Sequence, residues 1–271
     1  MDLAAHDYLL LFAAAALGGA VNSVAGGGTL LTFPALLWAL RWTDGAARIA
    51  NATSTVALWP GALSSLWGYR SEFRSGLGEI VALSVPSFLG GLLGASLLLL
   101  TSNALFAAIV PYLVLMATLL FMVQEPLSRW LRGREKAVPQ ALPRTLSRWL
   151  AVLAFQFLVG VYGGYFGAGI GILMLAAFGF LGVTNIHHMN ALKNLNAMFI
   201  NGIAAVLFIV KGHFSTEPLV DWRLALLMAA GAILGGYAGA GTARRIGQKN
   251  VRRLVILIGL SLAASLLVRQ W

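Results

Sequence analysis

Gly26-Gly27-Gly28-Thr29 and Gly167-Ala168-Gly169-Ile170-Gly171 are the two stretches on which the fold turns. Each interrupts apolar sequence and is followed by a short apolar run, 29–40 in one case and 168–182 in the other. At about 1.5 Å of rise per residue, such a run crosses roughly half of a hydrocarbon layer. A polar turn follows each, and then a helix start that opens on Asn-Ala: Asn51-Ala52-Thr53-Ser54-Thr55 and Asn190-Ala191-Leu192-Lys193-Asn194. Glycine cluster, half-length run and Asn-Ala start therefore occur twice in the same order. Glycine-interrupted short segments at matching positions of two halves are the sequence mark of a transporter site.

The surrounding chain has the composition such a site needs. Of 271 residues, 59% are hydrophobic and 10% charged, whereas an ordinary soluble domain carries about 25% charged residues. Mean hydropathy is +0.83. Apolar runs fall at approximately 8–25, 29–40, 49–67, 80–100, 103–123, 149–166, 168–182, 189–210, 222–243 and 251–268. The polar stretch 125–148, with Pro126, Pro139 and Pro143, divides them five against five. The expected fold is an all-α polytopic membrane protein of two five-segment inverted repeats, with a glycine-broken or half-length helix in each half. Residues 1–124 form the first repeat, 125–148 a cytoplasmic basic linker and 149–271 the second repeat.

The net charge of +10 reports orientation rather than nucleic-acid binding. Arg129, Arg132, Arg134, Lys136, Arg144 and Arg148 cluster in one connection, and Arg244, Arg245, Lys249, Arg252 and Arg253 in another. Short basic loops stay in the cytoplasm. Before the first apolar run stand Asp2, His6 and Asp7 without a Lys or Arg, so this start reads as a helix with its amino end outside rather than a secretory signal. Both basic connections are inside if segments six and seven both span or form a hairpin with no net crossing. Each half then crosses an odd number of times, the halves are inverted, and both termini lie outside. The expected setting is the plasma (inner) membrane of a bacterium. The oligomeric state is left open, a homodimer included.

Gly18-Gly19 before Ala25-Gly26-Gly27-Gly28, the run containing Pro34, and the polar start at 51–55 form one motif set, and Gly163-Gly164 before Gly167–Gly171 forms the second. In these features the chain resembles the TauE/SafE family of sulfite exporter-like membrane permeases over nearly its whole length. The resemblance implies transport of sulfite, organosulfonates or related anions, usually outward. The chain departs from its own duplication at two places: the second copy lacks a counterpart of Pro34, and it has Lys193 and Asn194 where the first has Ser54 and Thr55.

A glycine break frees backbone N–H groups, which in hydrocarbon must find protein, water or ligand. The N-terminus of the short helix after it offers several donors and a partial positive charge, suited to an anion. Gly26, Gly27, Gly28 and Thr29 precede one such helix, and Gly167, Gly169 and Gly171 the other; close helix packing is the competing use of these glycines. On the segment from 189, Asn190, Lys193, Asn194 and Asn201 share a face and Asn196 departs from it. Asn51, Ser54 and Thr55 form the matching face. Polar stripes of this kind face a bundle interior or a wet cavity. Lys193 is the one basic residue well inside an apolar run, placed either to meet a substrate or to snorkel to the headgroups. Asn22 and Ser23, with Tyr162 and Tyr165, add hydrogen-bonding groups around the two clusters, although tyrosine also serves as an interfacial anchor.

Other chemistries have little to work with. There is no cysteine, and the acidic residues lie in loops or segment ends, so paired carboxylates or an activated nucleophile for an intramembrane enzyme are missing. His187-His188 has no neighbouring carboxylate to complete a metal site, and no cofactor is expected. Pro60 and Pro86 should kink or break their helices. Trp42, Trp67, Trp130 and Trp222 near segment ends suit an interfacial belt. The reading is a carrier of small anions, most simply sulfite or an organosulfonate moved outward by alternating access. An anion channel, or a carrier of another oxyanion or a carboxylate, is the alternative.

Overall fold

The computed structural model describes residues 3–24, 26–41, 43–68, 77–137, 145–180, 186–214, 219–242 and 248–270. The described residues form α1 (Ala5–Val24), α2 (Thr29–Ala39), α3 (Ala46–Gly68), α4 (Leu77–Leu100), α5 (Asn103–Ala137), α6 (Leu146–Tyr165), α7 (Ile170–Phe180), α8 (Ile186–Phe214), α9 (Trp222–Thr242) and α10 (Gln248–Gln270), and no strand. The ten apolar runs thus become ten helices. Ile80–Leu100, Asn103–Leu127 and His188–Phe214 are long and apolar enough to cross a membrane. The protein is an integral membrane protein. Helices α2 and α7 are 11 residues each, the half-length pieces expected after the glycine clusters.

Small residues decide which helices pack. Gly90 and Gly94 on α4 lie against the carbonyls of Phe157 and Val161 on α6, and Gly164 of α6 lies against Gly91 and Ala95 of α4. The contacts advance in the same direction on both helices, so α4 and α6 run parallel. Helices α1 and α9 repeat the arrangement: Gly231 and Gly235 meet the carbonyls of Phe12 and Ala16, and Gly19 meets Ala232 and Gly236. A side chain at any of these positions would collide with backbone, so glycine here sets helix separation. Helices α3 and α8 pack on α9 and α4 respectively, and on each other. The largest pairs map onto one another when the first five helices are exchanged with the last five, α1–α9 onto α6–α4 and α3–α9 onto α8–α4.

Each short helix folds back beside the helix before it. A Cβ on Gly18 of α1 would lie 3.0 Å from Thr32 Cγ2 of α2. Ile170 of α7 lies beside Gly163 of α6, whose added Cβ would be 3.2 Å from Ile170 Cγ2.

Two expectations change. The stretch 125–148 is helical over 125–137, because α5 runs on through Pro126 with Glu125 and Arg129 one turn apart at 3.9 Å; residues 138–144 lie outside the described residues. Pro60 and Pro86 do not break α3 and α4, which stay continuous across them. A proline deprives only the carbonyl one turn back of its donor, a local cost that the surrounding helix contacts offset. Trp130 and Trp222 are exposed near helix ends; Trp42 and the Trp67 side chain lie outside the described residues.

Candidate anion site at two facing helix breaks

The two glycine breaks meet in the interior. A Cβ on Gly26 would come within 2.7 Å of the Gly171 Cα, and Gly26, Gly27, Gly28, Gly169, Ile170 and Gly171 are all buried. Gly26, Gly167 and Gly169 have φ of 75°, 84° and 80°. That left-handed backbone, which costs other L-residues about 1–2 kcal/mol, is what turns α1 into α2 and α6 into α7.

At the first break the end of α1 is closed by its own chain and by α8. The Gly26 N–H donates to the carbonyls of Val21 at 3.3 Å and Asn22 at 3.2 Å, and the Ser23 hydroxyl donates to the Ala20 carbonyl. The Ser23 carbonyl accepts from Asn194 Nδ2 at 3.2 Å and from Lys193 Nζ at 3.5 Å, both on α8. Lys193 is fully buried, at 0% exposure, so it turns inward to the negative end of α1 and does not snorkel. Helix α2 then starts at Gly28, without a side-chain cap, and Thr29. Asn22 packs its Cβ close to Gly28.

The second break mirrors this with different chemistry. Asn51 Nδ2 of α3 donates to the Tyr165 carbonyl at the end of α6, 3.0 Å away. Gly167 N–H and Phe166 N–H turn back to the Tyr162 carbonyl. Among the described residues the N–H groups of Ala168, Gly169, Ile170 and Gly171 have no backbone acceptor. Buried N–H groups at a helix start are the donors that an anion or water completes. Asn201 borders the same turn, its Oδ1 3.5 Å from where a Gly167 Cβ would be.

The remaining candidates divide. Ser54 is buried and hydrogen-bonds Thr32 at 2.6 Å, closing α3 onto α2. Thr55 donates to the Asn51 carbonyl within its own helix. The tyrosine hydroxyls are engaged elsewhere: Tyr162 donates to the Ala168 carbonyl at 2.7 Å and Tyr165 to Thr101 Oγ1 at 3.3 Å. It is the Tyr165 backbone, not its hydroxyl, that belongs to the break. Asn190 is half-buried near the start of α8. Asn196, off the stripe, is fully buried in a separate cluster, where Ser87 Oγ lies 2.9 Å from Asn196 Oδ1 and accepts from Gln156 Nε2 at 2.8 Å. Sequence reading missed this cluster because Ser87 and Gln156 are single polar residues in otherwise apolar runs. Among the described residues no three His, Asp or Glu side chains gather as a metal site.

Facing half-helices, a buried lysine and small-residue packing define a membrane transport protein. The sulfite exporter TauE/SafE family profile matches residues 11–266, and the chain belongs to that family. A probable membrane transporter protein of Sinorhizobium is 29% identical, covering 98% of this chain and 94% of its own length. One from Haemophilus influenzae is 28% identical over 100% and 98% of the two chains. The probable membrane transporter protein YfcA of Escherichia coli K12 is 30% identical over 95% and 88%. No solved structure matches the chain. The family and these relatives are transporters, not enzymes.

Proposed function

We propose that this protein carries sulfite or an organosulfonate out of a bacterial cell across the inner membrane, binding the anion between the two breaks and alternating access between two inverted halves. The observation that carries the reading is Lys193, a fully buried lysine whose amine meets the end of α1 at the first break, together with the α7 N–H groups at the second break that lack a backbone acceptor among the described residues. Inversion is supported by the exchange of helix pairs between halves, α1 with α9 against α4 with α6. A hairpin at each break keeps the crossing count of each half odd. The two basic connections favour the cytoplasmic side, with both termini outside. Asn51, Asn190 and Asn194 add polar contacts around the anion, and Ser54, Thr55, Asn22, Ser23 and Thr29 line the first break. The proposed halves are 1–124 and 149–271, joined through the basic segment 125–148.

No Asp, Glu or His stands among the residues assigned to the two breaks, so no proton relay is assigned there. An inside-negative potential alone drives an anion outward by about 2.3 kcal/mol per charge per 100 mV, so uniport suffices for export. The test is counterflow of labelled sulfite in proteoliposomes of the full chain, followed by flux at a clamped potential. Saturable, voltage-responsive counterflow is expected. Flux that never saturates would favour a channel, and saturable flux indifferent to voltage would remove electrogenic uniport. Single-cysteine labelling in this cysteine-free chain should place residues 135 and 248 inside. A C-terminus reached only from the cytoplasm would overturn the inverted arrangement.

A further inference from the structure

Asn51 carries a feature of the site that an anion by itself does not explain. Its side chain is 1% exposed, and Nδ2 donates to the Tyr165 carbonyl at 3.0 Å. A carbonyl oxygen can only accept, so the orientation of the amide is fixed: nitrogen toward Tyr165, oxygen away from it. Asn51 Oδ1 is fully buried and has no hydrogen-bond partner among the described residues. Neighbouring polar groups direct their hydrogens elsewhere. Thr55 Oγ1 bonds the Asn51 backbone carbonyl, Asn194 Nδ2 bonds the Ser23 carbonyl, and Tyr162 bonds the Ala168 carbonyl.

A buried acceptor without a donor is costly, and the cost is recovered when a ligand brings the missing hydrogen. An anion with only lone pairs to offer satisfies the lysine and the α7 N–H groups but sets oxygen against Asn51 Oδ1. An anion that also bears an O–H or N–H satisfies both sides. Sites built to hydrogen-bond a substrate donor discriminate strongly against the analogue that lacks it, because the protein group is then left unpaired.

We infer that the site selects oxyanions carrying a hydrogen-bond donor next to the charged group, a protonated oxyanion or an anion with an adjacent hydroxyl or amino group, with Asn51 Oδ1 as the acceptor that reads it. This rests on the proposal that an anion binds between the two breaks. Asn51 is here a specificity-determining residue, and Lys193 supplies charge without distinguishing among monoanions.

The test uses sulfamate and methanesulfonate, two monoanions of nearly the same tetrahedral shape that differ by an amino group in place of a methyl. Binding of each to the purified full-length protein is measured by calorimetry and by competition with labelled sulfite. Sulfamate is expected to bind on the order of tenfold tighter than methanesulfonate, the effect of one buried acceptor gaining its donor. In Asn51→Ala the preference should fall to about twofold or less, the effect of deleting that acceptor, with methanesulfonate still bound. Equal affinities in the wild type would overturn the inference, because Asn51 Oδ1 would then have its donor elsewhere. A preference that survives in Asn51→Ala would remove Asn51 as the reader. Failure of both ions and of sulfite to bind would remove the anion site itself, a result distinct from binding without preference. Should Asn51→Ala not fold, the wild-type comparison alone decides.

Discussion

The two breaks begin from the same sequence plan and end as different environments. At the first, glycine is needed for space: a Cβ on Gly27 would sit 2.7 Å from the Phe121 ring, one on Gly26 would strike Gly171, and one on Gly28 would strike the Gly18 carbonyl. At the second, glycine is needed for backbone angle. A Cβ on Gly169 would find neighbours no closer than 3.5 Å, yet its φ is 80°. The polar stripes diverge in the same sense. Ser54 closes onto Thr32 in its own half, whereas Lys193 and Asn194 reach across to the end of α1. The end of α1 thus meets a lysine and an asparagine from α8, whereas the end of α6 meets a single asparagine from α3. A repeated motif therefore marks an equivalent place in the fold and not an equivalent role.

The strongest way to break this contrast is at Lys193. Lys193→Met keeps side-chain volume and removes the charge, and should lower saturable sulfite transport by about 100-fold or more, a loss of the size seen when a buried ionic contact to a ligand is removed. The melting temperature should stay level or rise, since replacing a buried charge with an apolar group relieves desolvation. Transport at wild-type rate would place the anion elsewhere. Next in size is a pair of glycine variants read by thermal unfolding. Gly169→Ala should cost about 1–2 kcal/mol for its left-handed backbone alone, and Gly26→Ala clearly more, because it adds a backbone collision. Equal losses would erase the difference between a crowded and an open break. Asn196→Ala should destabilise by about 1–2 kcal/mol through loss of its hydrogen bond with Ser87, while sulfite affinity stays within about twofold, since that cluster stands apart from the breaks. The smallest effect is expected from Thr32→Val, about 1 kcal/mol of stability for one hydrogen bond, with transport nearly unchanged.

Much of the fold is legible in the residues because lipid leaves few options. A run of some 20 apolar residues must be helical to satisfy its backbone, and the ten runs match the ten helices within a few residues except at α5. There Pro126 and the charges read as a loop, yet 125–137 continues as helix, since one proline and polar side chains do not end a helix that extends beyond the apolar stretch. The half-length of α2 and α7 is also visible, from glycine clusters at matching positions. The direction each takes after its break is not, because it depends on what α1 and α6 pack against. For Lys193 the sequence leaves two orientations open. The one adopted is fixed by Ser23, a residue 170 positions away. Asn196 shows the converse case, a polar residue off the stripe that is paired with Ser87 of α4, which in turn holds Gln156 of α6.

The pairing of α1 with α9 also has a consequence during synthesis. Gly19 on α1 meets backbone on a helix that begins at Trp222. At about 5–20 residues per second, the interval between making these two helices is roughly ten to forty seconds. Throughout that time α1 sits in the bilayer with a narrow, ungreased seam of small residues turned to lipid. Its counterpart has no such wait, because α6 is made after α4 and can dock at once. The nascent protein should thus assemble from its middle outward, with α4 and α6 as the first stable pair and the amino-terminal helix among the last to be seated.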